Sequence, residues 1–106
     1  MRKIILLASF TSLSGCVSTE SVQQREPLFV AETTKSAVTY ASCVHEQWAY
    51  AGPYAEIFTR PDGSYRVRHY GGNIVDVTPT VTGAHVEMRE PPPHFSAPEN
   101  AAKACL

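Results

Sequence analysis

The residue types that most often carry out chemistry are present in this chain but scattered. The four histidines are His45, His69, His85 and His94. None belongs to an HExxH or HxH pattern or pairs with a cysteine at a typical ligand spacing. The carboxylates show no paired acid–base pattern, and no Gly-x-Ser-x-Gly, P-loop or Gly-x-Gly-x-x-Gly motif occurs. The sequence therefore predicts no catalytic residue, no metal site, no cofactor and no enzymatic activity.

A basic and aromatic patch is the best candidate for a binding surface. Arg66, Arg68 and Tyr70 alternate along one predicted strand and would share its water-facing side. An ordinary solvated sheet face has the same pattern, so both interpretations remain open. Trp48 lies instead on the apolar stripe of a predicted helix, which favours a place in the core over a place in an interface.

The N-terminus has the layout of an export signal. Arg2 and Lys3 precede an apolar stretch over residues 4–13, and small residues follow before Cys16. An apolar helix of this length spans about 15 Å, which is half of a bilayer core of roughly 30 Å. This segment is therefore too short to be a transmembrane anchor by itself.

The end of this segment, Leu13-Ser14-Gly15-Cys16, resembles the lipobox of bacterial lipoproteins. The resemblance implies acylation of the Cys16 thiol and cleavage before that residue. In that family, a residue other than Asp after the lipidated cysteine implies sorting to the outer membrane, and Val17 stands there. We expect a palmitate-bearing protein anchored at the outer membrane and facing the periplasm. The alternatives are an ordinary secretory signal with an incidental cysteine, or a cytosolic protein with an apolar start.

Once Cys16 is assigned to lipid, Cys43 and Cys105 remain. An even remainder in an oxidising periplasm predicts a disulfide between them. Closing the long loop between these positions would contribute about 4 kcal/mol in the loop-entropy treatment. The alternative is a metal-binding or catalytic thiol, for which the isolated neighbours Cys43 and His45 are the sole candidates by spacing.

The length of 106 residues allows one small domain. The formal net charge is −1, and loss of Arg2 and Lys3 with a signal peptide over 1–15 would make it more negative. A mildly acidic chain offers no overall attraction to nucleic acid or to an anionic lipid surface. We expect a lipidated, flexible tether over 16–30 and a single domain over 31–106.

The pattern within the domain predicts an α+β fold. Apolar residues at helical spacing predict a helix over 34–50, capped by Thr33 or Thr34 and stopped at Gly52-Pro53. Four strands are expected at 55–60, 64–70, 74–78 and 84–89, as an antiparallel meander. Its helix-facing residues would be Ile57, Val67, Val75, Val77, Val86 and Met88. Its water-facing residues would be Arg66, Arg68, Glu87 and Arg89. A short helical segment is predicted within 99–106, after a proline run that ends the last strand.

These features favour a non-enzymatic envelope protein that contacts a protein or cell-wall partner. One alternative is a periplasmic inhibitor: small lipoproteins that inhibit lysozyme resemble this chain loosely in length and in a cysteine near the C-terminus. That resemblance implies a β-barrel, from which the predicted helix departs. Another alternative is a prophage-type surface lipoprotein that masks a phage receptor.

Overall fold

The structure is a computed structural model, and it describes residues 19–51 and 55–106. The elements in chain order are α1 (Thr19–Gln23), β1 (Phe29–Thr33), α2 (Ala37–Ala51), β2 (Ala55–Thr59), β3 (Tyr65–His69), β4 (Ile74–Thr80), β5 (Gly83–Arg89) and α3 (Ser96–Ala104). The predicted signal peptide, Cys16 and the Gly52-Pro53 helix stop lie outside the described residues. No helix in the described ranges is both long and apolar enough to cross a membrane.

The strands form one antiparallel sheet in the order β1-β5-β4-β3-β2. The α+β class is confirmed, but the sheet has five strands where the sequence predicted four. The additional strand is β1, which pairs with β5 from Phe29↔Met88 to Thr33↔Ala84. Its partner lies more than fifty residues along the chain, so no local turn signal marks the pairing. Gly83 permits the close approach, since a Cβ there would lie 1.9 Å from the carbonyl oxygen of Thr33.

The segment before the sheet also differs from the prediction. Within the predicted tether, 19–23 form α1, and Phe29 and Val30 belong to β1. Val22 of α1 is fully buried. Residues 19–30 are thus part of the folded unit, which begins before the predicted boundary at residue 31.

Helix α2 starts at Ala37, three residues later than predicted. Its cap is Ser36, whose Oγ accepts a hydrogen bond from the backbone N–H of Thr39 at 3.2 Å. Thr33, one of the predicted caps, donates its hydroxyl to the carbonyl of Leu106 instead, at 2.8 Å. The predicted apolar stripe is confirmed as core at Ala37, Ala41, Val44 and Trp48, with Tyr40 beside it.

The core lies between α2 and one face of the sheet. Five of the six predicted helix-facing residues are fully buried: Val67, Val75, Val77, Val86 and Met88. Ile57 is the exception, with 37% of its surface exposed. It lies on β2, an edge strand of this sheet, so one of its flanks has no neighbouring strand to cover it.

The C-terminal segment is held firmly against α2. Its helix, α3, starts at Ser96, before the predicted segment. The predicted disulfide between Cys43 and Cys105 is present, with the Cα atoms 5.8 Å apart. The Tyr40 hydroxyl donates to the carbonyl of Ala102 at 2.8 Å, and Trp48 Nε1 donates to the carbonyl of Pro98 at 3.1 Å. The chain end therefore forms part of the domain core.

Candidate functional site

The predicted partner-binding face of Arg66, Arg68 and Tyr70 is not one continuous surface. Arg66 is 9% exposed, and Arg68 is only partly exposed. Both lie on the sheet face that α1 covers, which is why the prediction of a freely solvated face is wrong there. Tyr70 follows β3 in a turn and is 73% exposed at a different site.

Arg66 is buried together with a carboxylate. Its Nε and Nη2 donate to the two carboxylate oxygens of Asp76 at 2.7 and 2.9 Å. Its Nη1 donates to the side-chain oxygen of Gln23 in α1 at 3.3 Å. Arg60 approaches the same carboxylate at 3.5 Å. A planar guanidinium with three hydrogen bonds to two partner residues can be buried because its charge and its donors are satisfied.

The neighbouring arginines on this face also have partners. Arg68 donates to Glu56 at 2.6 Å and to Thr19 at 3.4 Å, with its guanidinium 5.7 Å from the ring centre of Phe58. Arg89, predicted to face water, has a side chain only 15% exposed, and its Nε donates to the carbonyl of Arg25 at 2.8 Å. The segment around α1 is thus attached to this face along its length.

One open cavity on this face has a volume of about 240 Å³. Its lining consists of Thr19, Phe58, Arg60, Arg66 and Arg68, and we call it the arginine pocket. Three of its five residues are cations. The pocket is therefore suited by charge to an anionic group.

A second cavity, of about 340 Å³, lies on the α2 side of the molecule, and we call it the apolar pocket. Its walls are Trp48, the end of β3 and the following turn with His69, Tyr70, Gly71 and Asn73, the prolines Pro91, Pro92, Pro93 and Pro98, and Phe95, Ala97 and Ala101. None of these described lining residues is charged. Its volume lies within the roughly 300–1,000 Å³ that is usual for ligand sites.

Local sequence explains how this pocket forms. Proline cannot donate to a strand ladder, so the run Pro91–Pro93 ends β5 pairing and forms one wall. Trp48 is held in place by its hydrogen bond to Pro98 and by an edge-on contact with His69, with ring centres 5.7 Å apart. Tyr70 and Phe95, 73% and 62% exposed, flank the opening. The result is a fixed apolar cavity with two exposed aromatic rings beside it.

His69 is one of the two titratable residues of this pocket's wall, and Tyr70 is the other. Burial lowers the pKa of its imidazole, because the surroundings disfavour the charged form. Its Nδ1 accepts a hydrogen bond from the backbone N–H of Gly71 at 3.1 Å, so the ring proton of the neutral form is on Nε2. The wall of the pocket therefore includes an imidazole that carries one N–H donor.

A hydrogen-bonded contact between Glu90 and His94 fixes the loop that carries the prolines. His94 Nδ1 contacts Glu90 Oε1, and His94 Nε2 lies 3.6 Å from a carboxylate oxygen of Glu99. Glu99 in turn pairs with Lys103 at 3.0 Å. The spacing of four residues in Glu99/Lys103 is a sequence signal for that pair, because both residues lie in α3. This network ties residues 90–94 to α3.

The remaining histidines have local partners as well. His45 Nε2 lies 3.0 Å from the carbonyl oxygen of Ala55. His85 Nδ1 contacts Glu32 on β1, and this hydrogen bond raises the pKa of the imidazole. Within 19–51 and 55–106, no group of three His, Cys, Asp or Glu residues could hold a metal ion.

The chain matches no protein-family model, and comparisons with curated proteins and with solved structures gave no significant match. The described sheet is open, with β1 and β2 as its edges. It therefore differs from the β-barrel that the loose resemblance to lysozyme-inhibiting lipoproteins implied.

Sequence reasoning missed both pockets. Trp48 was assigned to the core, and its ring is buried, but its neighbourhood also forms a cavity wall. The signal for the apolar pocket was a cluster of prolines around Phe95 after the last strand. That signal gives no distance to Trp48, which lies more than forty residues earlier in the chain.

Proposed function

We propose that this protein is a non-enzymatic lipoprotein of the bacterial outer membrane that binds a protein partner in the periplasm through its apolar pocket. The observation that carries the binding function is the preformed apolar cavity with Tyr70 and Phe95 at its mouth. The anchor is the lipid expected on Cys16, in the lipobox-like sequence before the described domain.

The lining favours an apolar side chain over a sugar ring. Glycans need several hydrogen-bond partners, because a hydroxyl group that loses water without replacement costs free energy. The pocket wall is mostly proline, alanine and aromatic surface, and its polar groups are the side chains of His69 and Asn73, the indole N–H of Trp48 and the hydroxyl of Tyr70. Exposed aromatic residues next to a well-packed cavity are typical of the energetic centre of a protein interface.

The binding function can be tested by site-specific photocrosslinking in intact cells. A photoreactive phenylalanine analogue at position 95 should give a defined protein adduct, whereas the same group at position 81 should not. Val81 is fully exposed in the turn between β4 and β5 and does not line the pocket, so it is the matched control.

A second variant separates pocket occupancy from surface proximity. Ala97 lines the pocket and is exposed, so an Ala97→Trp substitution should fill the cavity without disturbing the core. We expect the adduct at position 95 to be lost in this background. An unchanged adduct, or one whose mobility shifts on muramidase digestion because it contains glycan, contradicts a protein partner bound in the pocket.

The anchor is tested independently at Cys16. A Cys16→Ser chain should incorporate no radiolabelled palmitate and should leave the membrane fraction, because a stable anchor needs acyl chains worth about 0.8 kcal/mol per buried CH₂. The parent chain should fractionate with outer membranes. Palmitate uptake by the Cys16→Ser chain at the parent level is the result that rules the anchor out.

A further inference from the structure

We propose that the arginine pocket binds the phosphate group of an anionic phospholipid headgroup and so orients the polar sheet face toward the leaflet. The chemistry of the pocket comes from Arg60, Arg66 and Arg68, which line one cavity of about 240 Å³. Guanidinium groups match phosphate oxygens in geometry and in charge. This site is separate from the apolar pocket, and its orienting role rests on the proposed anchor.

The carboxylates on this face do not cancel the positive charge at the opening. Asp76 is engaged by two short hydrogen bonds from Arg66, and its side chain is 17% exposed. Arg60 contacts the same carboxylate at 3.5 Å only, and 37% of its side chain is exposed. The accessible guanidinium of Arg60 is thus weakly held and available to an incoming anion.

Arg68 is the second accessible cation. Its partner Glu56 is 52% exposed, and Arg68 itself is 40% exposed. An ion pair as exposed as this contributes little free energy, because water competes for both groups. Replacing the Glu56 contact of Arg68 by a phosphate oxygen therefore costs little free energy. The nearby Phe58 ring keeps the guanidinium over the pocket.

The position of the pocket favours a lipid source for the phosphate. Thr19, which lines the pocket, comes three residues after Cys16 in the sequence. Three consecutive Cα–Cα steps extend at most about 11 Å. If Cys16 carries the acyl chains, the pocket rim lies within this distance of the headgroup layer. Phe58, 41% exposed, would then present an apolar ring next to the headgroup layer.

The proposal can be tested by NMR on the full chain purified from membranes in an uncharged maltoside detergent. The side-chain Nε–Hε signals of the arginines would be followed during titration with glycerophosphoglycerol, the water-soluble headgroup of phosphatidylglycerol. Inorganic phosphate would be titrated in parallel. We expect saturable shifts for Arg60 and Arg68, and tighter binding of glycerophosphoglycerol than of inorganic phosphate.

Three single substitutions make the result specific. Arg60→Gln and Arg68→Gln should each weaken binding by about tenfold, since each removes one charge-assisted contact. Arg25→Gln is the matched control, because Arg25 is an exposed cation next to α1 that does not line the pocket. It should leave the affinity unchanged.

The outcomes distinguish a headgroup site from a site for free phosphate and from the absence of a phosphate site. Equal affinity for the two probes supports the phosphate site but assigns it to free phosphate. Absence of a saturable shift, or an equal loss in Arg25→Gln, overturns the proposal. Because both probes are soluble, the titration gives the same result for a Cys16→Ser chain, so a failed lipid anchor and a failed phosphate site are distinguishable.

Discussion

The two pockets lie on opposite faces of one sheet and share strand β3. Val67 and His69 point from this strand toward α2, and His69 forms part of the apolar pocket. Arg66 and Arg68 point to the other face and line the arginine pocket. Strict alternation along four consecutive residues of one strand therefore supplies side chains to two chemically different sites.

The pockets differ in what encloses them. The apolar pocket depends on the C-terminal segment, which the Cys43–Cys105 disulfide and two side-chain hydrogen bonds attach to α2. The arginine pocket depends on α1, which buries Val22 and otherwise accepts hydrogen bonds from Arg66 at Gln23 and from Arg68 at Thr19. The disulfide should make the apolar pocket rigid. The polar contacts of α1 should make the arginine pocket sensitive to changes of charge.

The largest expected effect is on the apolar pocket, through its disulfide. The double substitution Cys43→Ala and Cys105→Ala should lower the free energy of unfolding by about 4 kcal/mol in the loop-entropy treatment. Urea unfolding followed by the fluorescence of Trp48, the single tryptophan, measures this loss. Hydrogen exchange should show α3 losing protection well before α1. Equal loss of protection in both helices would contradict a pocket-specific role for the disulfide.

A smaller effect is expected on the other face. Asp76→Asn removes the carboxylate that accepts both hydrogen bonds from the buried Arg66, and it should destabilise the protein by about 2 kcal/mol. The control is Glu56→Gln, which breaks an exposed pair and should cost less than about 0.5 kcal/mol. Denaturant unfolding measures the loss in free energy of unfolding for both variants. Similar losses in the two would mean that burial of the Arg66–Asp76 pair has no energetic consequence.

The smallest expected effect is on pH dependence, where the two faces should have opposite signs. Burial lowers the pKa of His69, so its contribution to stability is complete above the ordinary histidine pKa of about 6.5 and decreases as the pH falls below it. The hydrogen bond that His85 donates to Glu32 raises the pKa of the imidazole, so its contribution is complete below about 6.5 and is lost as the pH rises through the raised value.

Single variants separate these two histidines. His69→Gln should remove the loss of stability on the acid side and any acid quenching of Trp48 fluorescence, given the ring contact between the two residues. Glu32→Gln should remove the loss on the alkaline side, where β1 pairs with β5. Unfolding curves between about pH 5 and pH 8 measure both effects, and effects of the same sign would contradict the contrast between the faces.

Some of this architecture follows from local patterns. Helix α2, the four meander strands and the inward-facing valines were predictable because each depends on periodicity and on turn residues close in sequence. The Cys43–Cys105 pair was predictable because the expected compartment and an even number of remaining cysteines constrain it. The fifth strand, β1, was not predictable, because it pairs with a strand more than fifty residues away in the sequence.

The positions of the candidate sites could not be predicted from local sequence patterns. Arg66 has the same place in the alternating pattern whether its face is open or covered, so the sequence could not reveal that α1 buries it. Net charge likewise averages over the chain: the value of −1 conceals a pocket with three arginines. The face of each residue was therefore determined by the sequence alone, through the two-residue period of a strand. Which faces are covered, and which side chains meet in a cavity, was decided only by tertiary packing, because those contacts join segments that are distant along the chain.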